Sequence, residues 1–172
     1  YKRQLSLFVA LSGCNDWLDV SPKADMKAED LFGTEAGFRD ALVGVYALMC
    51  GTNSYGRDLT SGYLDVLAQY YNSPLKTTSS GYEHNFKNAA EYKYTEKTEE
   101  SRISSIWSNH FSAVANINQA MLFIDENKGV FTSPEVHDVY KGEFLALRAF
   151  LHFDILRLFA PSAAMNNNKG LD

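Results

Sequence analysis

The stretch Gly142-Glu143-Phe144-Leu145-Ala146-Leu147-Arg148-Ala149-Phe150-Leu151-His152-Phe153-Asp154-Ile155-Leu156-Arg157-Leu158-Phe159 decides the fold. Together with Val136 and Tyr140, it repeats apolar residues at Phe144, Leu147, Leu151, Ile155 and Leu158, three or four positions apart. That spacing stacks them on one face of a helix, whereas a strand would alternate at two. Phe150, Phe153 and Leu156 widen the apolar surface nearly all round, so the helix is expected to be deeply buried. Ser133-Pro134-Glu135 opens it with a capping hydroxyl, proline at the first helical position and an acidic first turn. Ala160-Pro161 ends it.

Working outward, Asn127-Lys128-Gly129 stops an earlier helix whose stripe is Trp107, Phe111, Val114, Ile117, Met121 and Ile124. Thr98 is its expected cap, with Glu99 and Glu100 in the first turn near the positive end of the helix. Two long amphipathic helices across a short turn predict an antiparallel hairpin of tetratricopeptide type. No second copy stands at a fixed period. Further upstream, Thr34 caps a helix carrying Phe38, Leu42, Val45 and Met49, and Gly51 closes it. Cys50, near its end, is read as a small buried hydrophobe. Leu59, Tyr63, Val66 and Tyr70 form a weaker helical stripe. No period holds between Asn72 and Tyr94, which reads as a long loop of the kind that often carries function. The expected class is all-α: helical hairpins of tetratricopeptide-repeat type with long irregular loops.

The front of the chain reads as an address. Lys2 and Arg3 precede the mostly apolar run Leu5 to Leu11, too short to span a bilayer, which needs about 20 residues. Leu11-Ser12-Gly13-Cys14 then resembles a bacterial lipobox, whose cysteine is acylated and becomes the mature N-terminus. Residues 1–13 are therefore read as a signal-peptide remnant. Residues 14–33 are a lipidated tether held to the body through Trp17 and Leu18, and 34–172 a helical domain expected to be cut short at its C-terminal end.

Composition narrows the function. At 172 residues and 45% hydrophobic, the chain can bury a real core and is too apolar to be disordered. A net charge of −5 with scattered Lys and Arg argues against nucleic acid as a partner. There is no HExxH, GxSxG, Walker or GxGxxG motif, and His84, His110, His137 and His152 are dispersed. The helix charges Glu143, Arg148, Asp154 and Arg157 are read as pairing with each other to set register. No enzyme, metal site or cofactor is expected.

Several segments, in order, resemble the SusD/RagB family of outer-membrane nutrient-binding lipoproteins. They are Cys14-Asn15-Asp16-Trp17-Leu18-Asp19-Val20 running into Pro22, then Phe38 to Tyr46, then Ile106-Trp107 with Asn116, Ile117 and Asn118. The most specific is the 142–159 helix, similar to the family's signature helix. Ala160 stands where the family usually has glycine, and family members generally continue for many more residues. The resemblance implies a lipid-anchored, surface-exposed protein of the outer membrane. It would capture oligosaccharide and deliver it to a SusC-like TonB-dependent transporter, touching the membrane through its lipid only.

Sugar rings offer flat C–H faces to aromatic rings and hydroxyls to Asn, Asp and Arg. Tyr70, Tyr71, Asn72, Tyr82, His84, Asn85 and Phe86 supply that mix and are the candidate ligand-binding residues. In the family, loops of this region contribute to the ligand surface. The competing use for each ring is to pin the loop. The alternative function is a helical-repeat scaffold holding a protein or peptide partner, or RagB-like peptide cargo.

Cys14 yields the first prediction. Several acyl chains, each contributing about 0.8 kcal/mol per buried methylene, anchor a protein firmly. Cys14→Ala is expected to move the protein from the membrane fraction into the soluble fraction. Undiminished retention, with an unchanged mass of the mature N-terminus, is the contrary result.

Overall fold

A computed structural model describes residues 27–71 and 86–161. Cys14, Trp17 and Leu18 lie outside the described residues. Among the described residues six α-helices follow in chain order: α1 (Ala28–Leu31), α2 (Glu35–Met49), α3 (Tyr63–Leu67), α4 (Lys87–Ala90), α5 (Lys97–Phe123) and α6 (Pro134–Phe159). A single 3₁₀ turn, Lys128–Val130, lies between α5 and α6. No strand occurs among the described residues, and the all-α expectation holds.

The caps explain where the long helices begin. Thr34 Oγ1 accepts the Gly37 amide at 3.1 Å, and Ser133 Oγ accepts that of Val136 at 3.4 Å, with Pro134 following. Gly37 has a packing reason as well. A Cβ there would sit 1.6 Å from the Leu31 carbonyl oxygen, so only glycine lets α2 leave α1 this tightly.

Helices α5 and α6 form the expected antiparallel hairpin. Asp125 meets Lys141 at 2.7 Å, Asn118 accepts from Arg148 at 3.2 Å, and Trp107 meets Phe159 ring to ring at 4.9 Å. Helix α2 runs antiparallel to α5 on another side. Asn127 Nδ2 donates to the Phe32 carbonyl and Asn109 Nδ2 to that of Leu48, both at 2.9 Å. Both donors reach a backbone carbonyl near a helix end, where the helix's own amides run out, and the Leu48 carbonyl takes the Gly51 amide as well. The described helices give one long hairpin with a third helix alongside, without a repeated copy of the pair.

The main core joins Phe38, Leu42 and Val45 of α2, Ala113, Ile117 and Ala120 of α5, and Phe144, Leu147 and Leu151 of α6. Phe32, Phe38 and Phe131 close its lower end with ring centroids 4.9 Å apart in both neighbouring pairs. Polar bridges tie the helices together across it. Tyr46 donates to Glu143 Oε1 at 2.6 Å, and Glu35 accepts from both the amide and the hydroxyl of Thr132 at 2.7 Å. Those Thr132 bonds hold the Glu35 carboxyl below its ordinary range.

Deep between the helices, Tyr55 donates to Asp154 Oδ2 at 2.5 Å and lies 3.3 Å from His110 Nε2. His110 Nδ1 faces the Ile106 carbonyl at 2.9 Å; a carbonyl only accepts, so Nδ1 carries the proton. Burial, then the Asp154 bond, push the Tyr55 phenol well above its usual value. His110 is thus a structural histidine, fixed through its Nδ1 bond.

Several sequence expectations are corrected. Val114, Ile117 and Ile124 of the expected α5 stripe are buried, but the buried line also takes in Ile106, His110, Ala113 and Ala120, because small alanines let the neighbouring helices approach closely. Trp107 and Phe111 stand at its edge, 43% and 38% exposed. Helix α5 starts at Lys97 with Glu96 in the capping position, ahead of Thr98. Phe150, Phe153 and Leu156 are exposed, since α2 and α5 cover one side of α6 only among the described residues. Cys50 is exposed because it caps the C-terminal end of α2, where the chain turns away from the core. Asp154 does pair with Arg157, at 3.4 Å, but Glu143 and Arg148 pair across helices with Tyr46 and Asn118 instead of with each other.

Leu151 is fully buried at the centre of the hairpin. Leu151→Ala is expected to cost about 2–5 kcal/mol, the range for a large-to-small change in a core that cannot collapse. Urea unfolding followed by circular dichroism measures it, and an unshifted midpoint would contradict the packing described.

Candidate functional site

A second, smaller core holds up the end of the molecule that carries the loop. Tyr63 and Val66 of α3, Ala89 of α4 and Ile106 of α5 are buried there, with Leu59, Leu64, Leu67, Phe86, Ile103 and Leu158 packed against them. The packing leaves a largely apolar cavity of about 320 Å³, whose walls include Leu59, Tyr63, Leu67, Tyr94 and Phe159.

Beneath α3 lies a charged cluster. Asp58 is buried and takes Arg57 Nε at 2.8 Å and Arg102 Nη1 at 3.2 Å. The Arg102 guanidinium also lies 4.5 Å from the Phe86 ring centre and 5.7 Å from that of Tyr63, and Arg57 lies 5.6 Å from Phe86. Phe86 is therefore engaged by two arginines. Glu99 is fully buried, its nearest cationic contact being Arg102 Nε at 3.6 Å, and neither carboxylate oxygen has a hydrogen-bond partner. Desolvation raises the Glu99 carboxyl above its ordinary value, against the smaller opposing pull of Arg102. Burial, with the negative charge of Glu99 next, pushes the Tyr63 phenol up to about 12. Glu99 stands in the first turn of α5, as expected, and is fully buried there.

Helix α3 spans only Tyr63–Leu67, so the stripe expected to reach Tyr70 stops short. It stops at Gln69, whose backbone is left-handed at φ 58°. Its side-chain amide donates to the carbonyls of Val66, at 3.2 Å, and Ala90, at 3.1 Å. The turn leaves Tyr70 77% exposed and Tyr71 half exposed, the Tyr71 hydroxyl donating to the Ser61 carbonyl. Within the segment read as loop, Lys87–Ala90 is helical. Just beyond it, Tyr92 is left-handed at φ 54°, and its hydroxyl donates to the Leu67 carbonyl at 2.9 Å. Among the described residues, Gln69 and Tyr92 are the non-glycine residues with positive φ. Each such residue costs about 1–3 kcal/mol and persists only where its surroundings hold it.

Of the candidate ligand-binding residues, Tyr70, Tyr71 and Phe86 are gathered around α3. Asn72, Tyr82, His84 and Asn85 lie outside the described residues. Tyr92 and Tyr94, passed over as candidates, are both about half exposed, with ring centres 6.2 Å apart. Their aromatic, aperiodic surroundings were visible in the sequence; a left-handed tyrosine has no sequence signal. Among the described residues, no group of His, Cys, Asp and Glu could hold a metal ion. No described helix is long and apolar enough to cross a membrane.

A small helical body thus presents polar-rimmed tyrosines at one end, an arrangement suited to holding a ligand with flat faces and hydroxyls. The family model SusD-like_3, described as starch-binding and associating with the outer membrane, matches residues 16–170. The chain belongs to that family. No curated protein and no solved structure matches it.

The buried carboxylate makes the site's stability depend on pH. A folded-state value raised above the unfolded one means that the folded protein holds the Glu99 proton more tightly. The contribution of Glu99 is then most favourable below the unfolded value near 4.5 and is lost as pH rises through the raised one. Glu99→Gln is expected to raise the melting temperature at pH 7, the gain shrinking as pH approaches 4.5. A variant less stable than wild type at pH 7 would show that the Arg102 contact outweighs desolvation.

Proposed function

We propose that this chain is a surface-exposed outer-membrane lipoprotein that captures oligosaccharides and passes them to a SusC-like TonB-dependent transporter. Acyl groups on Cys14 anchor it, and it performs no catalysis. The observation that carries the reading is the group of exposed tyrosines beside α3, set in a chain whose family is described as starch-binding. An exposed ring with polar neighbours stacks on a sugar face and leaves the sugar hydroxyls to amides, carboxylates and water. Each such contact is worth one or two kcal/mol, so binding built from a few of them stays weak enough to release cargo to a transporter.

A peptide-binding reading draws on a different face. Trp107, Phe111, Phe153 and Leu156 expose apolar surface along the hairpin, and surface of that kind suits an apolar peptide side chain. Calorimetry with a panel of soluble oligosaccharides and a panel of apolar peptides separates the two. Oligosaccharide binding is expected, with Tyr70→Ala and Tyr71→Ala each weakening it about tenfold. Phe86→Ala also removes the surface on which Arg102 rests, so its melting curve is needed beside its affinity. Peptide binding with no oligosaccharide response would reverse the assignment. Co-purification of a SusC-like transporter from outer membranes tests the delivery partner.

A further inference from the structure

We infer that the apolar cavity beside α3 is a binding site for a neutral molecule with one aromatic ring and a hydroxyl, the phenol class, with Tyr63 and Tyr94 as its hydrogen-bonding partners. The site is separate from the capture of sugar or peptide on the outer surface and depends on neither.

Several elements enclose the cavity. Leu64 and Leu67 of α3, Ile103 of α5 and Leu158 of α6 contribute to its walls, around a space of about 320 Å³. An apolar cavity of about 150 Å³ already takes up benzene, and pockets for small molecules begin at about 300 Å³. One ring with a substituent is the size that fits. Cost excludes a charged ligand, because apolar walls return nothing for a lost hydration shell. The neighbouring charged cluster does not invite one either, since the acids Asp58 and Glu99 stand there with the two guanidiniums of Arg57 and Arg102.

The hydroxyls in the wall decide the rest of the ligand. Those of Tyr46, Tyr55, Tyr71 and Tyr92 each donate to a protein acceptor. Tyr63 is only 4% exposed, yet its hydroxyl has no hydrogen-bond partner among the described residues. The same holds for Tyr94, which is half exposed and forms part of the same wall. A buried hydroxyl left unpaired is costly, so a ligand that pairs it gains by doing so. Burial, then Glu99 and next Tyr94 push the Tyr63 phenol up to about 12, so it keeps its proton at neutral pH and remains a donor. The part taken by Tyr94 in that shift places the two phenols within electrostatic reach of each other. A ligand hydroxyl between them accepts from one and donates to the other.

The backbone holds the cavity open. Tyr92 donates from its hydroxyl to the Leu67 carbonyl at 2.9 Å, and Gln69 from its side-chain amide to the Ala90 carbonyl at 3.1 Å. Both bonds cross between α3 and the segment that leads to Tyr94, and both donors are left-handed, at φ 54° and 58°. Strain kept at two positions that brace one cavity points to a use for it. Walls fixed beforehand also lose little freedom when a ligand enters.

Ligand-observed NMR titration of the whole chain tests this with p-cresol, with toluene, which has the same shape without the hydroxyl, and with p-toluate, which carries a charge instead. p-Cresol is expected to bind about tenfold more tightly than toluene, the worth of one net hydrogen bond, and p-toluate not to bind. Tyr63→Phe keeps the ring beside which Arg102 lies. It is expected to bring p-cresol down to the affinity of toluene and to leave toluene unchanged, a split that a merely structural role would not produce. Leu67→Phe fills the cavity and is expected to abolish binding of both; should it fail to fold, Ile103→Phe carries the same test. A folded wild type that binds neither p-cresol nor toluene would overturn the site, as would binding undiminished in the filled variant. Tyr63→Phe holding p-cresol as tightly as wild type would overturn the pairing with Tyr63. p-Toluate bound as tightly as p-cresol would overturn the neutral class of ligand.

Discussion

Helix α5 must be covered on two sides along its whole length, and the rest of the structure is arranged around that requirement. Its 27 residues extend about 40 Å, and in a folded protein most of such a helix's stability comes from packing of its covered faces. Its lower half lies in the main core against α2 and α6, and Ile106 near its start belongs to the smaller core with α3 and α4. Alanines at 113 and 120 on the covered line keep the neighbouring helices close. In such close packing a polar atom is costly to leave unpaired. His110 on that line accordingly donates from Nδ1 to the Ile106 carbonyl, and Tyr55, 3.3 Å from its other nitrogen, donates across to Asp154 on α6.

The smaller core is built differently, and the difference suits a binding surface. It has few fully buried apolar side chains, and much of its cohesion is electrostatic, with Asp58, Glu99, Arg57 and Arg102 gathered under Phe86 and Tyr63. Burying Glu99 without hydrogen-bond partners costs stability where a well-filled apolar core would not. The left-handed Gln69 and Tyr92 add a further cost at the same end. Regions that hold ligands are drawn from the less stable parts of a fold, and the hairpin provides the stability against which these departures are tolerated.

Membership of a starch-binding, outer-membrane-associated family agrees with this division of labour. A helical hairpin places its side chains on regular faces that other helices can cover. Irregular connections escape that regularity and can turn several aromatic rings outward together, as the turns after α3 and α4 do with Tyr70, Tyr71, Tyr92 and Tyr94.

What the sequence by itself determined was local. The helical spacing of Phe144, Leu147 and Leu151, the caps at Thr34 and Ser133 and the proline at 134 depend on residues within a turn or two of each other, so they are legible in one dimension. The family likewise was legible from motifs in order. Tertiary structure decided which part of each apolar surface is covered. It moved the core line of α5 onto Ala113 and Ala120 and away from Trp107, because closeness of approach depends on small residues as much as on large apolar ones. It buried Glu99, whose place in the first turn the sequence gives without saying what covers it. It also bent the chain at Gln69 and Tyr92, conformations set by hydrogen bonds to the distant Ala90 and Leu67 carbonyls. No pattern of neighbouring residues encodes those partners, since they become neighbours only when the helices pack.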